Sequence, residues 1–251
     1  RIIISDRESY VAKSKYVVKS WVIRSASEDL LHILVNNFCD EDEEPVLFPG
    51  TDEVVGIIDN NLDLLKEKYI LPSINGEQGS ISRLMNKKTM NDLSYNFGFL
   101  VPKSWQVNLS STLDIPEKLD FPCIVKPVLS AEGVKTDIVI CDNQEMLKKS
   151  LLKLQEHYDR VLIQEYISDT KNSIKIGVVG CVSTGGNVLC PAVITKIREY
   201  PQNTGTLTYA QVRRNMEALD MDKIVEYFTY IGYQGIFDIE FKYSNNKVYF
   251  I

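Results

Sequence analysis

Two carboxylates in the last part of the sequence could hold a divalent cation. In residues 235–243 polar and apolar side chains alternate, so Asp238, Glu240 and Lys242 share one face of a predicted strand. Mg²⁺ prefers oxygen ligands, which makes Asp238 and Glu240 a candidate metal site. The same pattern is also typical of a solvent-exposed strand that carries a Glu–Lys pair.

Four cationic residues could bind phosphate or carboxylate groups. Lys196 and Arg198 alternate along a predicted strand and therefore point the same way, and arginine can bind such anions with two parallel hydrogen bonds. Lys126 interrupts an apolar strand, where a lysine needs a partner or a route to solvent. Lys87 begins a predicted helix, where the helix dipole favours an anion. Each could also be an ordinary surface residue.

Patterns typical of nucleophilic catalysis are missing from the sequence. There is no GxSxG motif, and two histidines, His32 and His157, are too few for a histidine metal centre. The five cysteines are scattered singly without a CxxC pair, which excludes a zinc knuckle and predicts a reducing compartment, the cytoplasm.

Composition indicates a globular protein that acts on small molecules. The chain has 251 residues, of which 44% are hydrophobic and 25% charged. A net charge of −6 argues against non-specific nucleic-acid binding, and no apolar run approaches the ~20 residues of a membrane span. Residues 1–78 carry 8 Lys and Arg against 15 Asp and Glu, whereas residues 79–251 carry 20 against 19. The near-neutral part can therefore build a local anion site.

Hydrophobic periodicity and capping motifs predict the elements that position these residues. In the first 78 residues a strand at 1–5, a helix after the capping box Ser25–Glu28, a strand at 45–48 and a helix over 51–69 indicate a parallel α/β unit.

From residue 79 onward the prediction is richer in strands. The sequence predicts helices over 86–98, after an Asp142–Glu145 capping box and over 216–232, with strands over 121–127, 136–140 and 161–167 and hairpins over 174–200 and 235–251.

These features occur in an order that resembles the ATP-grasp superfamily, in particular its carboxylate–amine ligase branch with D-aspartate ligases and carbamoyl-phosphate-synthase-like proteins. The order is Lys87, the IVKP segment with Lys126, a loop at 130–133, QEYI, ITKIREYP and GIFDIEFK. The resemblance implies an α/β fold: a partial, Rossmann-like pre-ATP-grasp domain at 1–78, then a two-lobed ATP-grasp domain with antiparallel sheets at 79–251. It also implies a lid over about 101–167 and truncation at both ends of the chain.

The resemblance also implies roles for individual residues. It places Lys87 and Lys126 on the ATP phosphates, and Glu165 with the backbone of Ile167 at the hinge that meets adenine. It also implies that Asp169 contacts the ribose and that Glu240 and Asp238 bind the metal. Lys196 and Arg198 are implied to act in catalysis, where they face the phosphate and the acceptor carboxylate. The glycine usual after the hinge is absent here, and the ExN metal motif of the family is expected beyond Ile251.

The implied function is an ATP-dependent ligase that activates a carboxylate as an acyl phosphate and joins it to an amine, with Mg²⁺ or Mn²⁺. Its expected partners are small-molecule carboxylates and amines, and neither nucleic acid nor a membrane is expected to bind. The resemblance is also compatible with a homodimer. Two alternatives remain open: an ATP-binding protein without turnover, acting as a sensor or assembly component, and a bicarbonate-using enzyme that forms carboxyphosphate.

Overall fold

The chain folds into two compact units, Arg1–Ser82 and Arg83–Ile251. The structure, a computed structural model, describes residues 2–5, 7, 10–37, 44–110, 115–129, 137–202 and 205–251. The boundary follows Ser82, close to the predicted one after residue 78. No helix within these described ranges is long and apolar enough to cross a membrane.

The first unit consists mainly of helices packed on one small core. Its elements are β1 (Ile2–Ser5), a 3₁₀ turn (Tyr10–Lys13), β2 (Lys19–Val22), a π-helical turn (Ala26–Leu30) leading into α1 (Leu31–Asn37), α2 (Asp52–Asn60), α3 (Leu62–Leu65) and β3 (Ser73–Ile74), with α4 (Ser80–Leu84) at the boundary. Strands β1 and β2 are parallel. Leu34, Ile58, Leu62 and Leu65 are almost fully buried and form the centre of the core.

Two sequence predictions for this unit are wrong. The expected strand at 45–48 reduces to a single bridge between Val46 and Ile70, and Phe48 is 72% exposed. The single helix expected over 51–69 is interrupted at Asn61, whose backbone is not helical and whose side-chain amide donates to the Ile57 carbonyl. The predicted cap at Ser25 is confirmed, since its hydroxyl accepts from the Glu28 amide at 3.2 Å.

The first part of the second unit is an antiparallel sheet covered by a helix. It follows α5 (Lys87–Phe97) and contains β4 (Ser104–Asn108), β5 (Cys123–Pro127), β6 (Val139–Cys141), α6 (Gln144–Leu154) and β7 (Arg160–Glu165). The strand order is β4-β7-β5-β6. Leu147 and Leu151 of α6 pack on Val125 and Ile163, all fully buried.

A larger antiparallel sheet forms the rest of this unit. Its elements are β8 (Ile174–Val182), β9 (Val188–Tyr200), β10 (Thr206–Arg213), α7 (Met221–Ile231), β11 (Tyr233–Ser244) and β12 (Lys247–Phe250), with strand order β10-β9-β8-β11-β12. Phe241 on the apolar face of β11 is buried in the same core as Tyr227 and Phe228 of α7. Helix α5 joins this core, and its Ser94 is hydrogen-bonded to Tyr227 at 2.9 Å.

The mixed α/β fold with antiparallel sheets is the predicted one, but some boundaries differ. Helix α5 is confirmed, with Asn86 as its cap and Gly98 in the left-handed conformation at its end. Helix α6 is capped by Asn143 rather than Asp142. Helix α7 begins after Asp220, five residues later than predicted from Met216. The sequence predicts no strand at β2, β3, β4 or β10.

Candidate active site

The two lysines predicted to contact phosphate lie on two elements that are bonded to each other, the start of α5 and the end of β5. The Lys87 amide donates to the Val128 carbonyl at 3.0 Å, and Lys87 Nζ donates to the Pro127 carbonyl at 3.2 Å. Pro127 directly follows Lys126, so the first turn of α5 is fastened to the end of the strand that carries the second lysine. Both lysines are half-buried. The predicted phosphate loop at 130–133 lies outside the described residues.

The predicted hinge begins where β7 ends. The Glu165 amide donates to the Lys103 carbonyl at 2.8 Å, and Glu165 Oε2 accepts from the Lys103 amide at 3.3 Å. The next amide, of Tyr166, donates to the Pro122 carbonyl. The start of the hinge is therefore held by backbone contacts with the loops before β4 and β5.

The rest of the hinge contacts β11. Lys242 Nζ donates to the Ile167 carbonyl at 2.5 Å and lies 2.8 Å from Asp169 Oδ1, while Tyr166 donates to Asp169 Oδ2 at 3.0 Å. Burial tends to raise the pKa of Asp169, but the bond and charge of Lys242 and the Tyr166 bond outweigh it, so the pKa lies below its ordinary value. Asp169, the predicted ribose contact, is thus an ionised carboxylate with an ordered position.

The predicted metal carboxylates lie on the charged face of β11. Glu240 forms an ion pair with Lys196 of β9, and the Glu240 side chain is 45% exposed. Burial of the carboxyl, followed by the negative charge of Glu240, raises the pKa of Asp238, and Lys196 partly opposes that shift. Gly177 of β8, the register partner of Glu240, lies beside the Asp238 carboxylate: a Cβ atom at Gly177 would come within 3.3 Å of Asp238 Oδ1.

This pair of carboxylates fits a magnesium ion. Mg²⁺ in phosphate-transfer sites is usually held by one or two carboxylates and completes its shell with water and substrate phosphates. Among the residues that the structure describes, no three or more His, Cys, Asp and Glu side chains gather as a metal cluster. Asp238 and Glu240 could therefore hold Mg²⁺ together with a nucleotide rather than by themselves.

Three neighbouring strands of the larger sheet each place a lysine in the same row. Lys242 on β11 pairs in register with Lys175 on β8, which pairs with Lys196 on β9. Each of the three forms an ion pair, with Asp169, Glu199 and Glu240 respectively. Without these acids three ammonium groups would face one another across adjacent strands, so the row depends on charge pairing.

The second predicted catalytic cation has a different environment from Lys196. Arg198 is exposed, and its Nε donates to Thr208 Oγ1 of β10 at 3.3 Å. The Thr208 hydroxyl in turn donates to the Arg198 carbonyl at 3.1 Å. The neighbouring strand thus fixes one end of the guanidinium group on the accessible side of the sheet.

Sequence reasoning placed Lys242 on the right face but gave it no role. A lysine with only 4% exposure needs partners, which is the criterion that singled out Lys126, and applying it to β11 would have found Lys242. Ser244, fully buried two residues later, was missed because a serine in a strand carries no distinctive signal.

Comparison with known proteins relates most of the second unit to one family. The model of the family described as "D-ala D-ala ligase C-terminus" matches residues 85–251, most of the second unit. A D-alanine–D-alanine ligase from Fervidobacterium nodosum is 32% identical over 78 residues, which cover 31% of this chain and 24% of that protein. The chain thus matches about a quarter of the length of this curated relative.

Solved structures share the fold. An L-amino acid ligase from Bacillus licheniformis aligns with a TM-score of 0.68 at 15% identity, over 99% of this chain and 58% of its own. The D-alanine–D-alanine ligase from Bacillus anthracis complexed with ATP aligns with a TM-score of 0.67 at 14% identity, over 100% of this chain and 83% of its own. The predicted superfamily is therefore confirmed: this chain belongs to the D-ala D-ala ligase C-terminus family of ATP-grasp proteins.

Proposed function

We propose that the protein is an ATP-dependent carboxylate–amine ligase. The observation that carries this proposal is the fastening of Lys87 to the end of β5, beside Lys126, within the region matched by the family. Two lysines carried by a helix start and a strand end that are bonded to each other can both contact one polyphosphate. Preorganised cations of this kind are what phosphoryl transfer requires of a protein.

The reaction we propose has two steps. A substrate carboxylate oxygen attacks the γ-phosphorus of ATP, which breaks the bond to the β-phosphate oxygen and gives an acyl phosphate and ADP. An amine then attacks the acyl carbon, so that inorganic phosphate leaves, the amine loses a proton and an amide forms. Neither step needs a protein nucleophile, in agreement with the missing nucleophile motifs.

The roles proposed for the chain's own residues are those that the resemblance implies, and their positions are compatible with them. Lys87 and Lys126 bind phosphate oxygens, and the hinge with Ile167 and Asp169 receives the base and ribose. Asp238 and Glu240 hold Mg²⁺, which when bound offsets charge on the phosphates. Lys196 and Arg198 provide positive charge for the transferring phosphoryl group and the substrate carboxylate, and the planar Arg198 also orients them. Because the curated relative and the Bacillus ligases reported above are named as ligases of amino acids, amino acids are the first substrates to examine.

ATP binding is tested by replacing Lys126. We expect Lys126→Ala to weaken binding of a non-hydrolysable Mg·ATP analogue by about 1.5–3 kcal/mol in titration calorimetry, the range of a hydrogen bond to a charged group. Lys149→Ala is the matched control, since this exposed lysine of α6 forms a surface ion pair with Glu145 at 2.7 Å. Equal affinities of the wild type and Lys126→Ala would contradict the assignment.

Turnover separates the ligase from its alternatives. Phosphate release that depends on a pool of amino acids supports the ligase, with the amide product identified by mass spectrometry. Bicarbonate-dependent release without amino acids would instead indicate carboxyphosphate formation. ATP binding without release under either condition would indicate a binding protein.

A further inference from the structure

The hinge after β7 is held by a lysine that is buried under the polar face of the larger sheet. Lys242 is 4% exposed, and its ammonium group lies against three residues of the hinge. It donates to the Ile167 carbonyl at 2.5 Å, lies 2.8 Å from Asp169 Oδ1 and stands 4.9 Å from the centre of the Tyr166 ring. One side chain of β11 thus contacts three residues of the hinge.

The remaining polar atoms around Lys242 are paired as well. Tyr166 donates to the second carboxylate oxygen of Asp169, so both oxygens of that group are bound. Two residues along the same strand, Ser244 donates to the Ser168 carbonyl at 3.1 Å and accepts from the Ser173 hydroxyl at 2.9 Å. Side chains at alternate positions of β11 therefore hold two successive hinge carbonyls, those of residues 167 and 168.

Burial of the Lys242 ammonium group costs desolvation free energy, and packing alone would not offset that cost. An ammonium group almost removed from water needs charged partners, whereas an apolar residue would fill the same place without the desolvation penalty. What the ammonium does here is fix the direction of the Ile167 carbonyl and the position of the Asp169 carboxylate. Those are the two hinge groups that the proposed function places against the base and the ribose.

We propose that Lys242 is a positioning residue for nucleotide recognition: it orders the hinge at 166–169 so that the base and ribose of ATP are received in one orientation. This inference rests on the proposed function. It predicts that Lys242 acts on the nucleoside part of ATP and leaves recognition of the phosphates, by Lys87 and Lys126, unchanged.

The test uses two ligands that differ by the nucleoside. Lys242→Met keeps an unbranched side chain as far as Cε and removes the ammonium group with its charge. We expect the dissociation constant of a non-hydrolysable ATP analogue to rise about tenfold or more, as for loss of a charged hydrogen bond, while that of inorganic tripolyphosphate changes less than about twofold. The matched control is Lys223→Met, since Lys223 also donates to a backbone carbonyl, that of Gly98 at 2.7 Å, and also lies over an aromatic ring, that of Phe99. It should leave both dissociation constants unchanged.

Two further measurements keep the proposal falsifiable. Ser244→Ala loosens the hinge without leaving a buried charge, so it should raise the dissociation constant of the analogue by about two- to fivefold even if Lys242→Met folds poorly. In the nucleotide-free protein, amide hydrogen exchange at 166–169 should be faster in Lys242→Met than in the wild type.

The outcomes are distinguishable from failure of the proposed function. Unchanged analogue binding by Lys242→Met, or equal loss of the analogue and of tripolyphosphate, would overturn the role of Lys242. A wild-type protein that binds neither ligand would overturn the proposed function and with it the nucleotide role of Lys242. Exchange at 166–169 would then report only whether Lys242 orders the hinge.

Discussion

At the scale of single residues, the ion pair between Lys196 and Glu240 joins two groups that have different proposed partners. Glu240 is proposed to bind Mg²⁺ and Lys196 to face phosphate, yet in this structure they contact each other. The Glu240 side chain is 45% exposed, so its carboxylate can reach a bound metal ion, while the mostly buried Lys196 still needs a negative partner, which a phosphate oxygen would supply. Binding of Mg·ATP would then exchange one pair of opposite charges for two, Glu240 with Mg²⁺ and Lys196 with phosphate.

Glu240→Gln tests this exchange. The amide keeps the shape but loses the charge, so Lys196 becomes available and repulsion of phosphate falls. We expect metal-free ATP to bind more tightly by up to about 1 kcal/mol, the range of an exposed pair, and Mg²⁺ to improve binding less than in the wild type. Titration calorimetry with and without Mg²⁺ measures both, and Glu145→Gln, which breaks an exposed Glu–Lys pair on α6, is the control. An unchanged effect of Mg²⁺ would remove Glu240 from the metal site.

At the scale of secondary-structure elements, hydrophobic alternation distinguishes β11, which the sequence predicts, from β10, which it does not. The alternation in β11 placed Asp238 and Glu240 opposite the core residue Phe241, as the structure has them. Strand β10 is exposed at most positions along both faces, because it is an edge strand, so no hydrophobic alternation marks it. Contacts such as that of Lys242 with the hinge are also beyond sequence, since they join segments about 75 residues apart.

The start of α6 shows how packing decides between two adjacent capping residues. Asp142 and Asn143 are both good caps, but Asn143 accepts from the Met146 amide at 3.0 Å, and the helix then buries Leu147 and Leu151. We expect Asn143→Ala to lower the free energy of unfolding by about 1 kcal/mol and Asp142→Ala to change it by less than about 0.5 kcal/mol. Urea denaturation measures both values. If Asp142→Ala caused the larger loss of stability, Asp142 would be the cap, as predicted from sequence, and the assignment to Asn143 would be wrong.

At the scale of the whole molecule, the charge and the proposed site are unequally divided between the two units. The excess of acidic residues lies within 1–78, whereas 79–251 is close to neutral. Every residue proposed to contact the nucleotide, from Lys87 to Glu240, belongs to Arg83–Ile251. The proposed binding site for an anionic ligand therefore lies in the part of the chain whose net charge repels it least.

This division predicts that ATP stabilises the two units unequally. A ligand that binds only the folded state at 100 times its dissociation constant adds about 2.7 kcal/mol of stability, which slows exchange through unfolding about 100-fold. With a non-hydrolysable ATP analogue at that excess, buried amides of β5 and β7 should slow by about this factor, while those of α2 in Arg1–Ser82 should be unchanged. Lys126→Ala at the same analogue concentration is the control and should reduce the effect on β5 and β7. Equal slowing in α2 would mean that the two units unfold together, and the division into separately stabilised units would then be wrong.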